Sequence, residues 1–274
     1  MIAIDIVGDE DLELLLEEVA SVYGYDFTDY SKASIKRRIN RICLIDKHKS
    51  FTELRYKILN DQSYLSRFIE EVTVNVTEMF RDPTFYKTLK EKIIPQLGVN
   101  SFIKVWIAGC STGEEVYSIS ILLHEAKLAH KAIIYATDIN PTVLETAKKG
   151  IYPISQMKLY TENYQNSNGT EDFSTYYSAN YDHVKFKEYL RKNVIFSTHN
   201  LVSDRSFNEF QLVICRNVLI YFDKILQDKV FNLFDGSLES LGYLALGSKE
   251  TIRFSDLNLT YKQINKEKIW KKTR

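Results

Sequence analysis

The sequence predicts an all-helical N-terminal unit followed by an α/β domain built on a parallel sheet. Three observations carry this prediction. Amphipathic helical patterns run from residue 11 to 74 with no strand signal between them, whereas from residue 102 short β-rich runs alternate with helical stretches. At residues 105–115 a strand also runs directly into a glycine-containing turn that opens a helix.

Asp11 to Val22 and Ser34 to Leu44 read as amphipathic helices; in the second, Ile35, Ile39 and Ile42 recur at helical spacing while Arg37 and Arg41 share the opposite face. Helical patterns at Phe51 to Asn60 and Ser63 to Val74 complete the small unit. In the second region the expected strands are Phe102 to Ile107, Ile133 to Thr137, Val194 to Ser197 and Gln211 to Cys215. The helix after the second of these is well signalled, since Asn140 can cap it, Pro141 suits its first turn and Gly150 follows the basic end at Lys148 and Lys149. Between Ile151 and Asn193 the rhythm lapses into a polar, Tyr- and Asn-rich stretch. We expect an inserted subdomain there, with Tyr176 to Phe186 as a small antiparallel hairpin. The expected layout is a helical domain over 1–85, a linker over 86–100, and a catalytic domain over 101–274 with the insertion at about 151–193.

Composition excludes several classes. Of 274 residues, 36 Lys and Arg balance 36 Asp and Glu, which argues against a surface built as a whole for nucleic acid. No apolar stretch approaches the length of a membrane span, and Met1 to Val7 contains Asp5 without a basic flank, so a cytoplasmic protein is expected. Cys43, Cys110 and Cys215 are widely spaced, without CxxC or histidine pairing, so neither a disulfide framework nor a metal site is expected. Charge is unevenly distributed: residues 1–30 hold nine acids and no Lys or Arg, and residues 31–57 hold nine basic and two acidic side chains. That reversal fits two helices neutralising one another, or a surface kept for an acidic partner.

The turn at Gly109-Cys110-Ser111-Thr112-Gly113-Glu114-Glu115 lacks the GxGxxG dinucleotide fingerprint, and two acids right after it would repel a pyrophosphate. A ligand without phosphates and with positive charge fits better; S-adenosylmethionine, with a sulfonium and an amino group, is one. A second strand ends in Asp138, about 25 residues beyond the turn, where nucleoside-binding sheets place a carboxylate for ribose hydroxyls. The bland alternative is a common glycine turn and an aspartate that only caps.

Four segments together resemble a known family. Asn75-Val-Thr-Glu-Met-Phe-Arg-Asp-Pro83, Ala108-Gly-Cys-Ser-Thr-Gly-Glu-Glu115, Ala136-Thr-Asp-Ile139 and Cys215-Arg-Asn-Val-Leu-Ile-Tyr-Phe-Asp223 are similar to the signatures of the CheR family, the chemotaxis receptor methyltransferases, in the right order along nearly the whole chain. The resemblance implies an S-adenosylmethionine-dependent protein-glutamate O-methyltransferase. It also implies a helical N-terminal domain and a Rossmann-like catalytic domain carrying a small antiparallel β-subdomain.

By residue matching, the resemblance implies that Asn75, Thr77 and Arg81 line the cofactor's methionine end, Gly109 its turn, Glu115 its amino group and Asp138 its ribose. Asn200 and Leu201 would lie beside the adenine, with Arg216 and Asn217 at the end of the fourth strand and Tyr221 near the transferred methyl. A glutamate carboxylate, with a reference pKa of about 4.3, needs no general base at neutral pH, so the chemistry asks for positioning. Arg81 is assigned to steering the substrate carboxylate or the cofactor carboxylate and Tyr221 to a hydrogen bond at the reacting centre, against the plain alternatives of an interdomain salt bridge and an amphipathic core tyrosine. The resemblance further places Lys36, Arg37, Arg38 and Arg41 against the acidic methylation helices of a chemoreceptor's cytoplasmic domain, the alternative being a solvated face paired with the acidic segment.

This chain departs from the family pattern in places. Val116 stands where proline is usual, and Leu241-Gly242-Tyr243 replaces a common Gly-Gly-Tyr. Ala179-Asn-Tyr-Asp-His-Val-Lys185 stands where members that tether to a receptor's C-terminal pentapeptide carry a Gly-Leu-Tyr-like stretch, so an untethered enzyme is expected; separately, a monomer is expected. Nucleic-acid methylation is disfavoured: the four prolines never pair into an Asn/Asp-Pro-Pro-aromatic motif, and the cysteines follow Ile42, Gly109 and Ile214 rather than proline. Methylation of a small molecule or another protein, and a non-catalytic receptor-binding module, are the alternatives; the second would be marked by eroded cofactor positions, which are intact.

Overall fold

The computed structural model describes residues 7–73 and 77–273. Its helical part comprises α1 (Asp9–Tyr23), α2 (Lys32–Ile45), α3 (Phe51–Asn60) and α4 (Gln62–Thr73). Each buries one stripe: Leu12, Leu15, Leu16 and Val19 on α1, Ile35, Ile39 and Ile42 on α2, and Leu65, Phe68, Ile69 and Val72 on α4. Ser50 caps α3 by accepting from Glu53 N–H, and Gly24, at φ 76°, ends α1 in the left-handed region.

This unit shares its core with the rest of the chain. One continuous apolar cluster runs from α1 to α4 through Phe27 and Tyr30 to Trp106, Val213, Phe222 and Phe234 of the α/β part. The join is tight, because Ser31 N–H donates to Tyr221 C=O at 2.8 Å, Asp223 N–H to Asp29 C=O at 3.1 Å, and the Tyr30 and Phe222 rings meet edge to face at 4.7 Å.

Residues 86–100, expected as a linker, are helical through Leu97. α5 (Pro83–Thr88), a π-helical turn at Leu89–Ile93 and α6 (Ile94–Leu97) bury Tyr86, Leu89, Ile93, Ile94 and Leu97 in the cluster that holds Val105 and Ile107 of the sheet. The lysines give the stretch a solvated look, yet its apolar residues fall on one side and cover the sheet.

The α/β part then follows as β1 (Ile103–Ala108), α7 (Glu114–Glu125), β2 (Ala132–Asp138), α8 (Pro141–Lys149), β3 (Ile151–Pro153), α9 (Met157–Asn166), β4 (Tyr177–Asn180), β5 (His183–Phe186), β6 (Val194–Thr198), β7 (Phe210–Cys215), α10 (Lys224–Ser237), β8 (Leu238–Leu246), β9 (Tyr261–Gln263) and β10 (Ile269–Lys272). Seven strands form one mixed sheet in the order β6-β2-β1-β7-β8-β10-β9, parallel from β6 to β8 and antiparallel at β10. The expected cap of α8 is present: Asn140 accepts from Thr142 N–H at 2.9 Å, and Gly150 closes the helix at φ 62°. The insertion is a separate three-stranded antiparallel sheet, β3-β5-β4, whose β4–β5 hairpin occupies the segment expected to form one.

The order of chain crossing reverses between β1 and β7, which are neighbours in the sheet but far apart in sequence. Crevices of open α/β sheets form at such a switch point, outside the carboxyl ends of the strands. No described helix is long and apolar enough to cross a membrane.

Candidate active site: a cleft at the strand switch point

A cleft opens there, walled by the loops after β1, β2, β6 and β7 on one side and by Tyr30, Thr73 and Thr77 on the other. The β1 loop is fixed by the second strand: Gly109 N–H and Cys110 N–H donate to Thr137 C=O at 2.8 and 2.9 Å. Gly109 has φ 74°, and a Cβ on it would fall 2.4 Å from Val218 Cγ2, so only glycine lets the β1 and β7 loops meet. Asp138 closes the same loop, its Oδ2 accepting from Ser111 N–H at 2.8 Å and its Oδ1 from Asn140 N–H at 3.0 Å. Burial raises the Asp138 pKa, and these backbone donors work against that rise.

Part of the strand-loop wall is ionic. Arg216 donates to Glu115 Oε1 at 2.8 Å, to Asp82 Oδ2 at 2.7 Å and to Arg81 C=O at 2.9 Å, and its guanidinium lies 4.1 Å from the centre of the Phe85 ring. Tyr86 OH donates to the same Glu115 oxygen at 3.0 Å. Arg216 is nearly enclosed, so a charge there persists only because two carboxylates and an aromatic face surround it. Glu115 thus meets a fixed cation as well as the cleft.

Every described cofactor-binding residue expected from sequence lines this cleft: Thr77, Arg81, Gly109, Glu115, Asp138, Asn200, Leu201, Arg216 and Asn217, together with Tyr221. Asn75 lies outside the described residues. The Asn200 side chain carries a local duty too, its Oδ1 accepting from Val202 N–H at 2.9 Å. Sequence reasoning missed Tyr30, Glu78, His199, Val218 and Phe222 as cleft residues. His199 and Val218 each adjoin a residue it named, so proximity was the available signal; Tyr30 enters from the helical domain and carries no local motif.

The four basic residues of α2 separate. Lys36 pairs with Asp9 at 2.8 Å and Arg41 with Glu71, so part of the basic face is neutralised by its own domain. Arg37 is exposed. Arg38 turns inward, donating to Glu71 C=O at 2.9 Å with its guanidinium 5.5 Å from the Tyr221 ring centre.

The cleft suits S-adenosylmethionine. Glu78, Glu115 and Asp138 supply negative charge to a cationic ligand, and among the described residues the buried Ser111 Oγ, His199 Nδ1 and Arg216 Nε have no hydrogen-bond partner. No described group of His, Cys, Asp and Glu could hold a metal.

Comparison with known proteins agrees with this geometry. Residues 75–269 match the family described as CheR methyltransferase, SAM binding domain, and residues 10–73 match CheR methyltransferase, all-alpha domain. The chain belongs to the CheR methyltransferase family. It is 45% identical to the putative methyltransferase Cher3 of Pseudomonas putida over 97% of both chains. It is also 34% identical to the chemotaxis protein methyltransferase of Borreliella burgdorferi, over 94% of this chain and 93% of that one. A chemotaxis protein methyltransferase of Listeria innocua is 34% identical over 84% and 85%. The CheR fold, an all-α domain ahead of an S-adenosylmethionine-binding α/β domain, is the architecture described above, and this CheR chain is an S-adenosylmethionine-dependent methyltransferase.

Proposed function

We propose that this CheR protein transfers the methyl group of S-adenosylmethionine to glutamate side-chain carboxylates on the cytoplasmic helices of a chemoreceptor, giving the glutamate methyl ester and S-adenosylhomocysteine. The observation that carries the reading is the charge around Tyr221 at the cleft. Burial raises the pKa of its hydroxyl, and the positive charges of Arg38, Arg81 and Arg37 oppose that rise. Arg38, 5.5 Å from the Tyr221 ring centre, and Arg81, on the cleft wall, put positive charge beside Tyr221 and suit a carboxylate substrate better than a neutral one.

The bound cofactor supplies an electrophilic methyl on a sulfonium. An ionised glutamate oxygen forms the new C–O bond as the C–S bond breaks, so no proton moves and no general base is needed. Arg81 steers the substrate carboxylate and Tyr221 holds it by a hydrogen bond at the reacting centre. Asp138 takes the ribose, Glu115 the amino group, Asn200 and Leu201 the adenine end, and Asn217 and Thr77 line the remaining walls. Arg37, exposed on α2, meets the acidic methylation helices, with Arg41 beside it held by Glu71. The hairpin tip, where Tyr181 is 95% exposed, lacks the sequence of a pentapeptide-tethered enzyme, and we read the protein as an untethered cytoplasmic monomer.

The test is incubation with methyl-labelled cofactor and a receptor cytoplasmic fragment, followed by alkali. Carboxyl methyl esters release volatile labelled methanol, whereas N-methyl or carbon-methyl products retain the label and would overturn the reading.

A further inference from the structure

The loop that carries Asn217, Val218 and Tyr221 needs an explanation, since Asn217 is held at φ 61° and the loop leaves a fully buried strand. It is held from the next strand. After β8 the chain turns at Gly247, and Glu250, only 5% exposed, points its carboxylate back at the β7 loop. Its Oε2 accepts from Asn217 N–H at 3.0 Å and Gly247 N–H at 2.6 Å, and its Oε1 from Leu219 N–H at 2.8 Å. Three backbone donors of two parallel neighbours therefore converge on one side chain. Without it, these buried N–H groups would have no acceptor.

Gly247 makes the approach possible. A Cβ there would lie 2.7 Å from Glu250 Oε2 and 2.8 Å from Asn217 N, distances that real contacts do not show. The clamp reaches the chemistry in two directions. Through Val218 it sets the surface on which Gly109 of the β1 loop rests, and through Leu219 it starts the short helical turn Leu219–Tyr221 that presents Tyr221 to the cleft.

We propose that Glu250 is a positioning residue for methyl transfer: its carboxylate fixes the Asn217–Tyr221 loop, so that Tyr221 and the cofactor wall keep their places without Glu250 touching either ligand. A carboxylate is required because two oxygens must accept from three donors. An amide of the same size would present its own N–H₂ to at least one of them.

The inference rests on the cleft being the methyl-transfer site of the proposed function, and the test separates the two. In Glu250→Gln, cofactor affinity measured by calorimetry should fall roughly tenfold, and kcat on a receptor fragment by at least about as much, while KM for the fragment stays within about twofold. In a Tyr221→Phe background the kcat loss caused by Glu250→Gln should shrink, since part of it acts through that hydroxyl. Gly247→Ala, which forces a methyl against the same oxygens, should reproduce the pattern, and it carries the test if Glu250→Gln fails to fold. Wild-type affinity and kcat in a folded Glu250→Gln, a loss restored by cooling below its unfolding transition, or additivity with Tyr221→Phe would each overturn the proposal. If the wild type makes no methyl ester, the functional reading fails, yet the calorimetric arm still tests the clamp.

Discussion

The guanidinium of Arg38, on the basic helix of the N-terminal domain, stands 5.5 Å from the centre of the Tyr221 ring on the catalytic domain. Sequence groups Arg38 with Lys36, Arg37 and Arg41 as one basic surface; in the fold its guanidinium is directed to Glu71 and Tyr221. It is anchored to Glu71 C=O and half-buried in the domain join. Arg38 therefore packs on Tyr221 at the domain join, while its neighbour Arg37 is exposed.

The two arginines should separate kinetically. Arg38→Ala removes a cation over the Tyr221 ring, a contact of about 1 kcal/mol, so kcat should fall roughly fivefold with little change in KM for a receptor fragment. Arg37→Glu should raise that KM, most strongly at low ionic strength, and leave kcat alone. Steady-state kinetics at two salt concentrations decide it; identical profiles for the two variants would return Arg38 to the docking face.

Asp138 holds the β1 loop as well as facing the cleft, so Asp138→Ala would disturb both duties. Asp138→Asn keeps one acceptor and the volume. Calorimetric affinity for S-adenosylmethionine should drop by about 1–3 kcal/mol if charge-assisted bonds to the ribose are lost. An unchanged affinity would leave Asp138 as a loop clamp alone.

Much of this is legible in sequence where the signal is local. The Asn140 cap, Pro141 and Gly150 mark α8, and strand-turn-helix grammar puts Gly109, Glu115 and Asp138 at one edge of the sheet. What stays hidden depends on contacts between distant segments. The partner of Glu115 is Arg216, 101 positions away, and the acceptor for the Asn217 loop is Glu250, 33 positions on. Strands β9 and β10 escape a sequence reading because they are only three and four residues long, and residues 86–100 because burial of one helical side does not show among their lysines.

Leu241 stands where the family pattern commonly has glycine, and its φ of 66° gives the reason for that glycine. It sits in the extra residues by which β8 bulges against β7 between Phe210 and Leu212, and it is 56% exposed, so its side chain gains little from burial. A leucine in the left-handed region costs roughly 1–2 kcal/mol, part of which the freer unfolded glycine chain takes back. Leu241→Gly should therefore stabilise the protein by about 0.5–1 kcal/mol, seen as a higher midpoint in urea with unchanged slope. The adjacent Gly242 behaves oppositely: a Cβ would meet Glu239 C=O at 2.9 Å, so Gly242→Ala should destabilise.

Glu114 begins α7 beside Glu115 but faces away from the ionic wall, where it accepts from Thr112 Oγ1 at 2.6 Å. Burial pushes its pKa up to about 7 from an ordinary 4.5. The folded chain thus holds a proton there that the unfolded chain releases between about pH 4.5 and 7. In that window the folded state binds more protons, so this group's contribution to stability falls as pH rises and levels off above pH 7. The full effect is bounded at about 3 kcal/mol, because each tenfold change in proton affinity is worth about 1.36 kcal/mol. Glu114→Gln keeps the shape and removes the ionisation, so relative to wild type it should gain stability from about pH 5 to pH 8. Urea midpoints of both proteins across that range give the difference directly. A difference that stays flat with pH would mean that Glu114 ionises in the fold as readily as in water.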